Sequence, residues 1–213
     1  MGKRVIGVIT GDLVGSQKIK SEKYDNMLYT LQSSLSMLQS HYDMSFETYR
    51  GDAFQGVFDN PIDAIFSAVI IRLSLKAAST SFDVRQSVGI GELTTRRSEV
   101  KTSTGEAFTL SGKGLDTIKN DLIKVTSNNS NFQLKVGLLT KFLDNLLSDL
   151  TLTQSETLLC YLLAKDKSHA ALAEALGKTR SNITKLLLAS RYQLVDEYLH
   201  YVAQCYEEEF SNA

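Results

Sequence analysis

Residues 46–58, FETYRGDAFQGVF, decide how this chain is read. Residues 46–50 and 53–58 are two short runs of aromatic and small side chains joined by Gly51-Asp52, the pattern of a β-hairpin with a carboxylate on its turn. Working outward, residues 4–10, RVIGVIT, are short and rich in β-branched side chains, as suits a buried central strand, and they run into Gly11-Asp12-Leu13-Val14-Gly15-Ser16. If that strand neighbours the hairpin, Asp12 and Asp52 face each other. Two facing carboxylates repel unless a cation sits between them, and an oxygen-rich site of this kind suits Mg²⁺ or Mn²⁺ with phosphate oxygens completing the shell. Each aspartate also has a purely conformational reading, Asp12 as a cap after a strand and Asp52 as a turn residue.

Between and after these stretches the pattern alternates. Residues 22–42 carry Met27, Leu28, Leu31, Leu35 and Leu38 at helical spacing, with Ser21 as the expected N-cap. Asn60-Pro61 opens a helix to about residue 79, and residues 83–90 form a strand ending in Gly89-Ile90-Gly91, a sign of close approach by a neighbour or a ligand. Residues 104–120 read as a helix weakened by Gly112 and Gly114, residues 122–126 as a strand, and residues 132–150 as a helix with Leu138, Leu139, Phe142, Leu146 and Leu147 on one face. Strand, helix, hairpin, helix, strand, helix, strand, helix predicts an α+β sandwich over residues 1–150, not an uninterrupted βαβ array.

After residue 150 the pattern is all helical, with Thr153, Ser168 and Thr179 as expected N-caps. Ala173 is small where two helices must cross, Gly177 permits a turn, and Ile183, Leu186 and Leu187 supply a buried face. Arg180, Ser181, Asn182, Thr184 and Lys185 are then left exposed, the residue types that contact phosphates and base edges. The other reading of residues 151–213 is a small helical bundle for dimerisation or protein contact.

The 213-residue chain is 43% hydrophobic and 22% charged with a formal net charge of −1, so bulk electrostatics do not make it a polyanion binder and any nucleic-acid surface must be a local patch. Cys160 and Cys205 and the histidines at 41, 169 and 200 are scattered, which indicates neither a disulfide scaffold nor a zinc site. No run reaches membrane-spanning length and no secretory signal is evident, so the expectation is a cytoplasmic protein.

Gly11-Asp12-Leu13, YRGDAFQ at 49–55, SVGIGEL at 87–93 and GEAF at 105–108 resemble, in order and approximate spacing, the catalytic domains of class III nucleotide cyclases, and more closely the SatD family of bacterial proteins. The resemblance covers roughly residues 1–131 and implies a ferredoxin-like, palm-type cyclase fold. It implies Asp12, Asp52 and the backbone carbonyl of Leu13 as metal ligands and Val14, Gly15, Ser16 and Gly51 around the phosphates of a nucleoside triphosphate. Active cyclases usually act as dimers, which adds a homodimer to the expected partners. Thr48 stands where purine cyclases carry lysine, and Thr109 and Lys113 stand where the transition-state asparagine and arginine belong. Lys113 keeps a charge for phosphate but loses the planar fork of arginine, or is simply a solvated loop lysine. The reading therefore favours a non-catalytic nucleotide-binding domain over cyclase-type phosphotransfer on an unusual substrate. Residues 150–195 are similar to the helix-turn-helix region of sigma-factor and LuxR-type regulators, which makes DNA the expected partner of the second unit.

Overall fold

The structure is a computed structural model that describes residues 4–16, 20–49 and 51–211. Arg50, assigned above to the first hairpin strand, and residues 17–19 of the loop after the first strand lie outside the described residues. The first half of the chain is β1 (Val5–Leu13), α1 (Ser21–His41), β2 (Met44–Tyr49), β3 (Ala53–Phe58), α2 (Pro61–Ala78) and β4 (Val84–Thr95). These strands lie in the order β2-β3-β1-β4 with antiparallel neighbours, the split βαβ arrangement of ferredoxin-like folds. The two-residue β5 (Thr104–Gly105) pairs with the end of β4, and α3 (Glu106–Asp116) is the crossover that lets β6 (Ile123–Ser127) pair parallel to β4. The sheet is therefore mixed and the class α+β.

The central strand is longer than expected. β1 continues through Gly11 and Asp12 to Leu13, because Asp12 pairs with Ala53 on one side and Arg85 on the other. Asp12 thus belongs to a strand and not to the loop after it. Alternation then sorts its side chains: Ile9 and Leu13 join Phe54, Phe58, Val84 and Val88 in the main core under α1 and α2, whereas Ile6, Val8 and Val57 join Val100 and Ala107 under α3. A Cβ at Gly89 would lie 2.2 Å from the Ala107 carbonyl oxygen and 2.5 Å from the Ser111 amide. The close approach foreseen for this strand end is made by a helix, α3.

The remaining helices are α4 (Ser130–Ser148), α5 (Leu152–Leu163), α6 (His169–Ala175), α7 (Arg180–Ala189) and α8 (Tyr192–Tyr206), followed by a π-type turn over Glu207–Ser211. The chain breaks between α4 and α5, and the core is continuous across that break: α5 and α8 pack on the outer side of α2, and Leu158, Leu162, Val195 and Val202 belong to the same apolar cluster as the sheet. α2 is consequently buried on both sides. Two caps differ from expectation. Lys20, not Ser21, precedes α1 and makes no side-chain cap bond, and Thr151, not Thr153, caps α5 in a reciprocal capping box with Gln154. The buried stripe of α4 is Phe132, Val136, Leu143 and Leu147; of the stripe expected, only Leu147 is buried, and Leu138 and Phe142 are about two-thirds exposed at 63% and 65%. That side faces β6, and on it Asp144 and Thr140 find polar partners in Arg72 of α2 and Tyr198 of α8. Among the described residues no helix is long and apolar enough to cross a membrane.

One charge is wholly inside. The Arg72 side chain has no exposed surface, and its five N–H groups meet five acceptors. Nε and one terminal nitrogen donate to the two carboxylate oxygens of Asp83 at 2.9 and 3.2 Å. The others reach Ser148 Oγ at 2.8 Å, the Asp144 carbonyl at 3.1 Å and the Asp144 carboxylate. Asp144 in turn accepts from the backbone amides of Leu122 and Ile123, both at 3.0 Å. Removing one member of a buried ionic group strands the others without compensation. Arg72→Ala is expected to cost roughly 3–5 kcal/mol in urea-induced unfolding; a loss near zero would show that Asp83 and Asp144 rehydrate at no cost.

Candidate functional site

The ends of β1 and β4 and the β2–β3 turn meet at one edge of the sheet. Gly51, with φ of +85°, lets the hairpin turn tightly, and the Leu13 amide donates to the Asp52 carbonyl at 2.9 Å, pinning that turn to β1. A cavity of about 570 Å³ opens there, lined by Asp12, the Leu13–Ser16 turn, Asp52, Ala53, Arg85, Lys119, Asp121 and Leu122. The structure thus brings the two aspartates and the Val14–Ser16 turn to one place. A second, mainly apolar groove of about 460 Å³ between α4 and α8 is lined by Leu139, Phe142, Leu146 and Leu194 among others, with Glu197, Tyr198 and Tyr201 as its polar-bearing residues.

The electrostatics of the polar cavity differ from the expected metal centre. Arg85 is the cross-strand neighbour of Asp12, and its Nε and a terminal nitrogen donate to the two oxygens of the Asp12 carboxylate at 3.0 and 2.6 Å. These bonds raise the already high pKa of Arg85, so the guanidinium stays charged. Asp52 accepts from the Ser16 hydroxyl at 2.7 Å. The Val14 amide donates to the Asp83 carbonyl at 3.0 Å and is not directed at a ligand. Among the described residues no three histidine, cysteine or acidic side chains are grouped to hold a metal. With both Asp12 oxygens engaged by a cation of the protein itself, the donors do not fit a Mg²⁺ or Mn²⁺ ion bridging Asp12 and Asp52 with help from the Leu13 carbonyl.

Lys113 lies exposed on α3 and does not line the cavity, and the Thr109 hydroxyl donates to the Gly105 carbonyl, one turn back in the chain. The lysine that does line it, Lys119, comes after α3 and was not singled out in the sequence, and neither was Arg85. The period-2 pattern of RQSVG puts Arg85, Ser87 and Gly89 on the α3 face of β4, but the register that sets Arg85 against Asp12 is a property of the fold. Beside the cavity, on the same sheet face, Tyr49 donates to Gln55 at 3.2 Å, Gln55 to Thr10 at 3.0 Å, and Thr10 shares a 2.8 Å bond with Ser111. Burial, then the Glu47 charge, pushes the Tyr49 phenol up to about 12, so it remains a donor.

In the C-terminal helices, Ser168 caps α6, Gly177 adopts φ of +60° in the turn, and Thr179 caps α7. Arg180, Ser181, Asn182 and Lys185 are exposed along the first turns of α7. Thr184 is half-buried; its hydroxyl donates to the Arg180 carbonyl and lies 2.8 Å from His169 Nδ1. Lys167 and Lys178 are paired with Asp196 and Glu156, whereas Arg180 and Lys185 have no ion-pair partner among the described residues.

No family model matches the chain, and no curated protein does. Solved structures similar to it include the guanylyl cyclase Cya2, at 18% identity over 59% of this chain and 77% of that one with a TM-score of 0.42. The adenylyl cyclase CyaB from P. aeruginosa aligns at 12% identity over 59% and 78% of the two chains with a TM-score of 0.45. The catalytic core of a rhodopsin-guanylyl cyclase with converted specificity, in complex with ATPalphaS, aligns at 17% identity over 58% and 78% with a TM-score of 0.46. These structural neighbours are nucleotide cyclase domains; at such identities and TM-scores they carry no conclusion about the activity, ligand or assembly of this chain.

Proposed function

We propose that the chain is a nucleotide-responsive regulator: the cavity at the ends of β1 and β4 binds a phosphate-bearing nucleotide, and the C-terminal helices make the contact that the nucleotide controls. The observation that carries this reading is the convergence of two cations, Arg85 and Lys119, on a 570 Å³ cavity walled by the Val14–Ser16 turn. Arginine and lysine with a small-residue turn are the groups that recognise phosphate oxygens. Two of the five N–H donors of Arg85 are used on Asp12, which leaves three that can face an anion. Cyclisation is not part of the proposal, because Thr109 and Lys113 do not line the cavity. Calorimetry with ATP, GTP, CTP and UTP in a chelating buffer tests the reading. At least one triphosphate binds, and Lys119→Ala weakens it about tenfold or more, as loss of one charged hydrogen bond implies; no binding, or binding indifferent to Lys119, contradicts it.

A specific observation favours DNA as the partner of the helical unit: Arg180 and Lys185, exposed beside Ser181 and Asn182 on a helix that follows a tight turn from α6, have no ion-pair partner among the described residues. Side chains of this kind at the start of a helix suit phosphate and base-edge contacts. Fluorescence anisotropy with duplex DNA across a salt series checks it. Affinity falls steeply with salt, and Lys185→Ala lowers the slope by about one counterion; salt-independent binding, or none, favours a protein partner.

A further inference from the structure

We infer that Arg85 is the resident cation of the carboxylate cavity, occupying at Asp12 the place of a divalent metal. The inference concerns the same cavity as the nucleotide reading but stands on the cavity's own charges, and metal alone suffices to test it.

The register places Asp12 and Arg85 directly opposite on β1 and β4, with both side chains on the α3 face, so the pairing is built into the sheet. The contact is two-pronged, Nε to Oδ1 at 3.0 Å and a terminal nitrogen to Oδ2 at 2.6 Å, the geometry in which a planar guanidinium matches a carboxylate. Both Asp12 oxygens are engaged. Asp52, on the adjoining turn, has one oxygen engaged by the Ser16 hydroxyl. A magnesium-sized ion demands near-octahedral oxygen geometry and gives up its water reluctantly. To reach Asp12 it must either break the fork or take the remaining lone pairs beside a guanidinium that cannot lose its proton. Lys119 adds a second positive charge to the cavity wall, against Asp12, Asp52 and Asp121. The Asp12–Arg85 pair is partly exposed, 30% for the aspartate side chain and 40% for the arginine, so its hold comes from occupancy and geometry more than from a strong buried attraction. Removing the guanidinium therefore uncovers a pair of carboxylates with metal-binding character.

Mn²⁺ titration of the full chain, followed by electron paramagnetic resonance of the free ion with no nucleotide present, reads this directly. Arg85→Gln is expected to bind Mn²⁺ at least about tenfold more tightly than wild type, and Asp12→Asn added to Arg85→Gln abolishes the gain. Lys119→Gln, which removes the same unit of charge without touching Asp12, leaves the affinity within about threefold of wild type. Equal affinity in Arg85→Gln and wild type, a gain that survives loss of Asp12, or an equal gain in Lys119→Gln would each overturn the inference. The wild type provides an arm that does not depend on the folding of Arg85→Gln: saturable Mn²⁺ binding that Asp12→Asn weakens shows that metal already reaches Asp12 and also overturns it.

Discussion

The interaction on which the rest of the architecture depends is the burial of the Arg72 guanidinium between Asp83 and Asp144. Desolvating a charge of this kind is costly, and it is tolerated only when every donor is met. Here the five N–H groups find five acceptors, and those acceptors lie on different parts of the chain. Arg72 belongs to α2, Asp83 directly precedes β4, Asp144 and Ser148 belong to α4, and Asp144 reaches the start of β6 through the amides of Leu122 and Ile123. Lys76, one turn further along α2, adds a 2.9 Å bond to the Ser148 carbonyl. A single polar hub thus sets how the outer helices sit on the sheet.

The same hub reaches the candidate site. The Asp83 carbonyl accepts from the Val14 amide, and Leu122, whose amide is held by Asp144, also lines the cavity. Both residues are therefore tied to one rigid, satisfied network, while the groups facing the cavity, Arg85, Lys119, Asp12 and Asp52, stand on its wetter side. α5 and α8 pack on α2, the helix that carries Arg72.

Much of the scaffold was legible in the sequence, for identifiable reasons. The hairpin at residues 46–58 announced itself by strand composition around Gly51-Asp52, Asn60-Pro61 marked a helix start, and the conjunction of Asp12 with Asp52 followed once β1 and β3 were taken as neighbours. The order β2-β3-β1-β4 realises that assumption. What stayed hidden depends on register and on packing partners. Arg85 in the middle of a strand has no local mark of being opposite an aspartate. Lys113, between two glycines, drew attention that belongs to Lys119, because nothing local tells which lysine the end of α3 turns toward the cavity. In α4 the leucines are spread around the helix, so periodicity alone favoured a stripe that the sheet does not cover. One available signal went unread: the residues of α2 are apolar nearly all round, the mark of a helix buried on two sides, and an arginine in such a run calls for buried acceptors.

The central claim is that the cavity at the ends of β1 and β4 is where a nucleotide binds. Amide hydrogen exchange on the full chain, with and without a saturating nucleoside triphosphate in chelating buffer, tests it at the residue level. The account predicts slowed exchange confined to residues 13–16, the 51–53 turn and residues 119–123. Unchanged exchange at these positions, or protection centred instead on the apolar groove between α4 and α8, would contradict it.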